Sequence, residues 1–489
     1  MPPLIEELAN APTPAHALAA FASWPDVVLF ESVLRRGALG RYSFLTADPF
    51  ASAQIDHCSY GIDPFARLRP ILQRFETEPI AGLPPFQGGA AGVLSYELGG
   101  CWERLPRAAH DELHIPDACV GVYDWVVAWD HEADRAWVIS QGFPETDRAA
   151  RQQRAATRLA DVRAVLQDAP EPESRELPSQ AQSSSGRPVE RFPLPRHPGI
   201  TSDFDRDRYL RTVERVIEYI HAGDIFQANL SQRLLGRWDR SSVELYQTLR
   251  ECNPATFAGY LAHDDWAVVS SSPERFVRVA DGVVETRPIK GTRRRQTAEA
   301  DLYTRDELRQ SEKDIAENVM IVDLLRNDLS RVCEAGSIEV PQLCVVESYE
   351  TVQHLVSEVR GKLQSATRAR KPAASLDLIE AVFPGGSITG APKVRAMEII
   401  AELETTERGP YCGSLFYCGF DGTFDSSILI RTLVCRGGQV QCSAGGGIVA
   451  QSDPVSEYEE TLHKAEGMLR ALTSRFSAGS QSLSGRQLR

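Results

Sequence analysis

Four acids fall into two pairs with the same spacing: Asp314 with Glu317, and Glu457 with Glu460. On a helix, residues three apart share a face. Two such helices facing each other would gather four carboxylates. Hard oxygen donors of that kind suit Mg²⁺, which takes a few carboxylates and fills its shell with water and substrate oxygens. Taken alone, each pair reads sooner as a solvated acidic face. Lys464 also stands four residues after Glu460, the spacing of an ordinary helical salt bridge. Lys290 is placed differently, between Ile289 and Gly291 after a strand-like run. Burial there would disfavour the ammonium and lower its pKa, and Arg287, Arg293 and Arg294 would push the same way. A neutral lysine amine attacks carbon; the alternative is a water-facing lysine in a basic turn. Glu274 follows a proline at a strand edge and could carry protons, or pair with Arg275. His354, on an apolar strand face with Val352 and Val356, reads as a core histidine or as a proton carrier.

Anion-holding features accompany these groups. The run 384–397, PGGSITGAPKVRAM, is a glycine-rich turn before a helix, and free N–H groups at a helix N-terminus attract anions. It begins like a phosphate-binding loop but lacks the Lys-Ser/Thr that follows the last glycine of one. A carboxylate or other small anion therefore fits better than a nucleotide. Alternation in SSILIRTLV puts Arg431 on a face with Leu429 and Leu433, where a guanidinium needs a structural acid or a substrate carboxylate as partner. The run SAGGGIV at 443–449 bares the backbone at Gly445 and Gly447, for a ligand or for a crowded crossing.

These residues must be positioned by a chain of 489 residues, 25% charged and 42% hydrophobic, with net charge −14. That is the composition of a globular protein. It lacks the basic footprint of a nucleic-acid binder, and it argues against a membrane surface. Ten scattered cysteines contain no C-x-x-C pair, so free thiols in a reducing cytoplasm are expected. Met1 to Asn10 has no secretion-signal pattern, and no apolar run reaches the length of a membrane span.

The elements read as follows. The Pro/Ser/Glu-rich stretch 168–200 cannot build a core and is taken as a linker. Residues 1–167 form an N-terminal region of short strands (120–129, 136–140, and one after the bend at 86–98) with a helix over 146–166. A catalytic region, 201–473, follows, and 474–489 is a polar tail expected to be flexible. In the catalytic region helices are predicted from Ser202 to Gly223, over 311–331, 391–403 and 455–472. Strands are predicted over 230–235, 258–261, 267–270, 276–279, 427–434 and 439–443. Strands and helices mix without strict alternation, which predicts an α+β fold.

In order and spacing these segments resemble the chorismate-binding enzyme family. The resemblance is carried by SSSPERF, RPIKGTRRR, EKDIAENVMIVDLLRNDLSRV, VQHLVSEV, FPGGSITGAPKVRAM, SILIRTLV, SAGGGIV and SEYEETLHKA, and further upstream by FESVLRRGALGRYSFL and FQGGAAGVLSYEL. It covers nearly the whole chain. It implies a large antiparallel β-sandwich core with helices packed outside, and chorismate as substrate. Within the family, Pro-Ile-Ala-Gly-Thr marks the anthranilate-forming branch and Pro-Ile-Lys-Gly-Thr the branch that makes 4-amino-4-deoxychorismate, toward para-aminobenzoate and folate. This chain has Lys290 at that position. The resemblance then implies that Lys290 adds to C2 of chorismate, that Glu274 is the general acid/base, and that His354 assists the departing hydroxyl. It assigns Mg²⁺ directly to Glu317 and Glu460, and through water to Asp314 and Glu457. The substrate would be held by Gly291, Thr292, Ser387, Tyr411, Arg431, Gly445 and Gly447. Glu31, Ser32, Tyr42, Asn253 and Pro254 would form an amino-acid pocket, which in some members takes tryptophan. Thr256 stands where a second proline is common and leaves that pocket's ligand open. No glutaminase motif is present, so ammonia would come from solution or from a separate glutaminase subunit in a heterodimer. The alternative is the anthranilate-forming reaction.

Overall fold

The computed structural model describes residues 2–35, 37–167, 189–294, 305–348, 352–364 and 372–473. Two antiparallel sheets form its centre. The first is 13-stranded. It runs from an edge at Leu4–Glu7 through Val28–Glu31, Phe257–His263, Trp266–Ser272, Thr432–Arg436, Gln439–Ile448 and Gln227–Arg237 to Phe192–Pro193. The second is 10-stranded, with Ile289–Arg294 and Val352–Lys362 near one edge and Ala51–Ile55 at the other. The inner faces meet over Val28, Phe44, Phe86, Val93, Leu415, Tyr417 and Leu429, all buried. A fully buried side chain of this kind contributes about 1.5–3 kcal/mol. The expected sandwich with helices outside is therefore the architecture found.

The helices cover the outer faces where their apolar stripes dictate. Arg206–Ala222 is capped by Asp205, whose side chain accepts from the Arg208 N–H, and it buries Tyr209, Val213 and Val216. Gly223 ends it at φ +84°, a conformation that glycine adopts without a Cβ clash. The expected cap, Ser202, lies instead in the short strand Thr201–Ser202. Ser202 Oγ donates to Gln232 Oε1 at 2.8 Å, which spends it on the sheet. Glu312–Ser330 starts at Ser311, whose hydroxyl accepts from the Asp314 N–H at 3.3 Å. Lys393–Leu403 and Pro454–Thr473 match the other two predicted helices to within a few residues.

Two expected strands are each divided. Residues 120–129 read as one strand, yet Ala118–Tyr123 belongs to the second sheet and Trp125–Asp130 to the first. Asp124 is the corner between them. Residues 427–434 likewise divide into Phe424–Ile428 in the second sheet and Thr432–Arg436 in the first. Arg431 therefore sits in a corner at φ +52°, not in a strand. A third crossing joins Trp266–Ser272 to Arg275–Ala280 through Pro273 and Glu274. The last two corners touch: the Ile428 N–H donates to Glu274 O at 3.1 Å, and Ser272 Oγ donates to Ile428 O at 2.6 Å.

Both sides of the sequence linker place strands in both sheets. Val28–Glu31 pairs with Phe257–His263 in the first, and Gly89–Leu94 pairs with Ser414–Gly419 in the second. Of the linker, residues 168–188 lie outside the described residues, as does the tail 474–489. Residues 189–200 include the edge strand Phe192–Pro193. All ten cysteines are free.

Candidate active site

The touching corners, the open edge of the second sheet and two helices enclose one set of polar groups. Lys290 is in the edge strand Ile289–Arg294, paired with Leu355. Its Nζ lies 2.7 Å from Glu317 Oε1 and donates to Ser387 O at 3.1 Å. Ser387 Oγ in turn donates to Glu274 Oε1 at 2.9 Å. One residue, Ser387, thus holds both the amine and the acid. Next to Lys290 the pairing register shifts at Gly291, which has φ +63°. A Cβ there would stand 3.0 Å from the Asp314 carboxyl carbon. The bulge brings the strand against the Glu312–Ser330 helix. Thr292 pairs in register with His354, which is buried in Val352–Lys362.

The electrostatics correct one expectation. Burial does disfavour the charged form of Lys290, but the Glu317 carboxylate beside it, with Glu274 and Glu460, outweighs burial and raises its pKa above the ordinary lysine value. Arg287, expected to push the other way, is paired with Glu347 and Glu358. Glu317 shows the converse. Burial opposes its charge, yet Lys290, Lys464 and the amide of Gln227 hold its pKa below the usual carboxylate range. Gln227 Nε2 donates to Glu317 Oε1 at 2.8 Å. Glu274 is buried too, and there burial wins: it pushes the pKa up to about 7 against the opposing pull of Lys290 and Ser387.

The remaining acids line the glycine run of Gln439–Ile448. A Cβ at Gly446 would stand 3.1 Å from Glu457 Oε2 and 3.7 Å from Glu460 Oε1, and one at Gly447 would stand 2.6 Å from Glu317 Oε1. Three carboxylates thus border a cradle that any side chain on the strand would fill. Their oxygens are of the kind a hard divalent cation takes, so the residue types suit Mg²⁺. As placed, each acid is engaged by an ammonium instead: Glu317 by Lys290, Glu457 by Lys313 at 3.0 Å, and Glu460 by Lys464 at 2.6 Å. Among the described residues, no three His, Cys, Asp or Glu side chains are gathered closely enough to hold an ion. The Asp314 carboxyl lies against Gly291.

Gly445 and Gly447 pair with Ser231 and Asn229. Tyr411 is buried, 5.8 Å from the Arg408 guanidinium to its ring. Arg431 stands at the corner beside the Trp266–Ser272 strand, where its carbonyl accepts from the Ser271 N–H at 3.1 Å. Glu31, Ser32, Tyr42, Asn253 and Pro254 lie apart from the lysine. Glu31 is buried and takes the Tyr246 hydroxyl at 2.7 Å and two Arg250 N–H groups at 3.1 and 2.7 Å. Ser32 Oγ sits within 2.9 and 3.2 Å of the carbonyls of Tyr42 and Thr256. Asn253 follows the Ser242–Cys252 helix as its C-cap.

Sequence reasoning missed Gln227 and Lys313 as members of the site, because neither stands out without knowledge of which helices face each other. It missed a buried ion pair as well. Arg408 donates to both Glu404 oxygens, at 2.9 and 2.7 Å, and to the carbonyls of Ile388 and Asn229. That pair walls a cavity of about 550 Å³ lined also by Tyr96, Glu97, Arg104 and Met397. The cavity contains neither Lys290 nor Glu274, so this large void is not where the reactive groups converge.

Known proteins resemble this chain in sequence and in fold. The sequence pattern described as "chorismate binding enzyme" matches residues 35–470. Aminodeoxychorismate synthase component 1 of Escherichia coli (strain K12) is 37% identical over 453 residues, covering 91% of this chain and 89% of that protein. Anthranilate synthase component 1 of Streptomyces coelicolor is 38% identical over 477 residues, covering 96% and 88%. The crystal structure of anthranilate synthase component I from Streptococcus pneumoniae superposes with a TM-score of 0.72 at 28% identity, covering 89% of this chain and 94% of that one.

Proposed function

The chain belongs to the chorismate-binding enzyme family, and on that premise we propose that it converts chorismate and ammonia to 4-amino-4-deoxychorismate, a precursor of para-aminobenzoate and folate. Overall identity does not separate the two reactions, since relatives of both kinds stand at 37–38%. The observation that carries the proposal is the linkage of Lys290 and Glu274 through Ser387. A nucleophile and a proton carrier there converge on one residue, the arrangement that attack on a ring carbon and departure of its hydroxyl both need.

The amine must lose a proton before it attacks. Glu274, with a pKa near 7, accepts that proton and later delivers one to the departing oxygen. Lys290 Nζ bonds to C2, the two ring double bonds shift, and the C4 hydroxyl leaves as water. Ammonia then bonds to C4, the double bonds shift back, and the C2–N bond to Lys290 breaks. His354 would assist the departing hydroxyl. Glu317, Glu460, Asp314 and Glu457 would be the residues that hold Mg²⁺, which when bound would supply positive charge for the ring carboxylate. Tyr411, Arg431, Gly445 and Gly447 hold the enolpyruvyl carboxylate, with Gly291, Thr292 and Ser387 lining the pocket. Ammonia comes from a separate glutaminase subunit, and the protein works in the cytoplasm. Among the described residues no helix is long and apolar enough to cross a membrane. Glu31, Ser32, Tyr42, Asn253 and Pro254 would form the amino-acid pocket, whose ligand Thr256 leaves open.

Incubation of the chain with chorismate, Mg²⁺ and ammonium at alkaline pH, followed by mass spectrometry, tests the reading. Aminodeoxychorismate without pyruvate, lost in Lys290→Ala, is the expected result. Anthranilate with pyruvate would overturn it and favour the other branch.

A further inference from the structure

The acidic face of the site holds two lysines to which the reaction above gives no task. Lys313 lies on the same helix as Asp314 and Glu317 and reaches across to Glu457 Oε1 at 3.0 Å. Lys464 pairs with Glu460 at 2.6 Å and donates to the Gly445 carbonyl at 3.0 Å. Its amine, Glu457 Oε2 and Glu460 Oε1 all lie within 3.7 Å of the place a Gly446 Cβ would take. The ammonium therefore stands among two carboxylates on the glycine cradle. The partners differ in exposure. The Glu457 side chain is 4% exposed and also takes the Ser452 hydroxyl at 2.6 Å, whereas Lys313 is 43% exposed; in the second pair Lys464 and Glu460 are both half-exposed, and it is the Glu457 oxygen beside Gly446 that gives Lys464 a buried acid as neighbour.

A buried carboxylate cannot be left without a counter-charge at acceptable cost. A lysine is a single, strongly hydrated charge on a flexible four-carbon stem. One whose end is already half in water returns to solvent with little loss. We propose that Lys313 and Lys464 are built-in counter-cations: they hold the site's carboxylates while no divalent ion is present and swing away as one binds. The inference rests on the reading that these acids hold Mg²⁺, and deepens it. The site then has two closed-shell states, one neutralised by ammonium and one by metal. The affinity for the metal is set by the exchange between them. Because Lys313 bridges the Glu312–Ser330 and Pro454–Thr473 helices, the exchange also passes the task of joining those helices to the ion.

Titration calorimetry of Mg²⁺ into the full chain, with and without chorismate, tests this. Lys313→Gln and Lys464→Gln should each tighten Mg²⁺ binding about three- to tenfold, while Lys313→Arg and the remote Lys362→Gln stay within about twofold of the parent. Without Mg²⁺, Lys313→Gln should melt below the parent, and the gap should close at saturating Mg²⁺. If the parent binds Mg²⁺ and both Gln variants bind equally or more weakly, the counter-cation inference falls and the metal reading stands. A melting deficit that Mg²⁺ leaves unchanged also overturns the inference, because a purely structural lysine would behave so. If no chain binds Mg²⁺ in either condition, the metal reading itself falls.

Discussion

Lys290→Arg separates charge from nucleophilicity. The guanidinium keeps a cation beside Glu317 but stays protonated and cannot attack. Product formation should fall at least about a thousandfold, with the melting temperature held close to the parent, whereas Lys290→Ala should lose both. Paired activity and melting measurements distinguish them. Glu274 makes a second prediction. Its carboxyl is pushed from the ordinary 4.5 to about 7, so between those values the native state keeps a proton that the unfolded chain gives up. Stability from this group is full below about 4.5 and is lost as pH rises through about 7. Denaturant titrations from pH 4.5 to 7.5 should show the parent losing on the order of 3 kcal/mol more than Glu274→Gln. At this scale the sequence was informative about identity and misleading about charge state: it pointed to a lowered Lys290 pKa, and the structure raises it. Lys290 and Glu274 stand out by their neighbours in the chain. The carboxylates that keep Lys290 protonated, Glu317 first and then Glu274 and Glu460, were each visible as candidates, but nothing in the sequence shows that they face the lysine.

Elements carry the corners. Gly447→Ala would press a methyl group to within 2.1 Å of Gln227 Nε2 and 2.6 Å of Glu317 Oε1. It should cut activity about a hundredfold while the far-ultraviolet dichroism stays unchanged, because displacing one positioning group by about an ångström costs that much. Arg431 occupies the left-handed region at φ +52°, where glycine is free of the penalty other residues bear. Arg431→Gly should therefore be more stable than Arg431→Ala by about 1 kcal/mol in urea, although both lose the guanidinium. Helices were legible where caps and stripes coincide, as at Ser311 and Gly223. The strand breaks at Asp124 and Arg431 were not. Alternation reports which face a residue occupies, and an apolar run that turns from one sheet into the other keeps its alternation through the corner.

The whole molecule is held by pairings that join the two sides of the 168–188 stretch. A protease site inserted there and cleaved should leave both pieces in one particle by size-exclusion chromatography, because Val28–Glu31 remains paired to Phe257–His263 and Gly89–Leu94 to Ser414–Gly419. Co-elution of the two fragments is the expected outcome, and their separation would mean that these two ladders do not hold the molecule. Sequence composition marked the stretch between the pieces as coreless. It could not reveal that the strands on either side interleave, since pairing partners more than 200 residues apart leave no periodic trace.

That interleaving has a consequence for how the protein is born. Gly89–Leu94 pairs on one side with Ala118–Tyr123 and on the other with Ser414–Gly419. When the ribosome has delivered the first partner, some 300 residues of the chain are still to be translated before the second emerges. At about 5–20 residues per second that wait lasts about 15–60 seconds. Throughout it, one flank of an apolar strand offers unpaired backbone to any neighbour, the condition under which nascent chains aggregate. A gene for this enzyme thus demands a cell that shelters half-made sheets, and the rate at which its later codons are read sets how long that shelter must last.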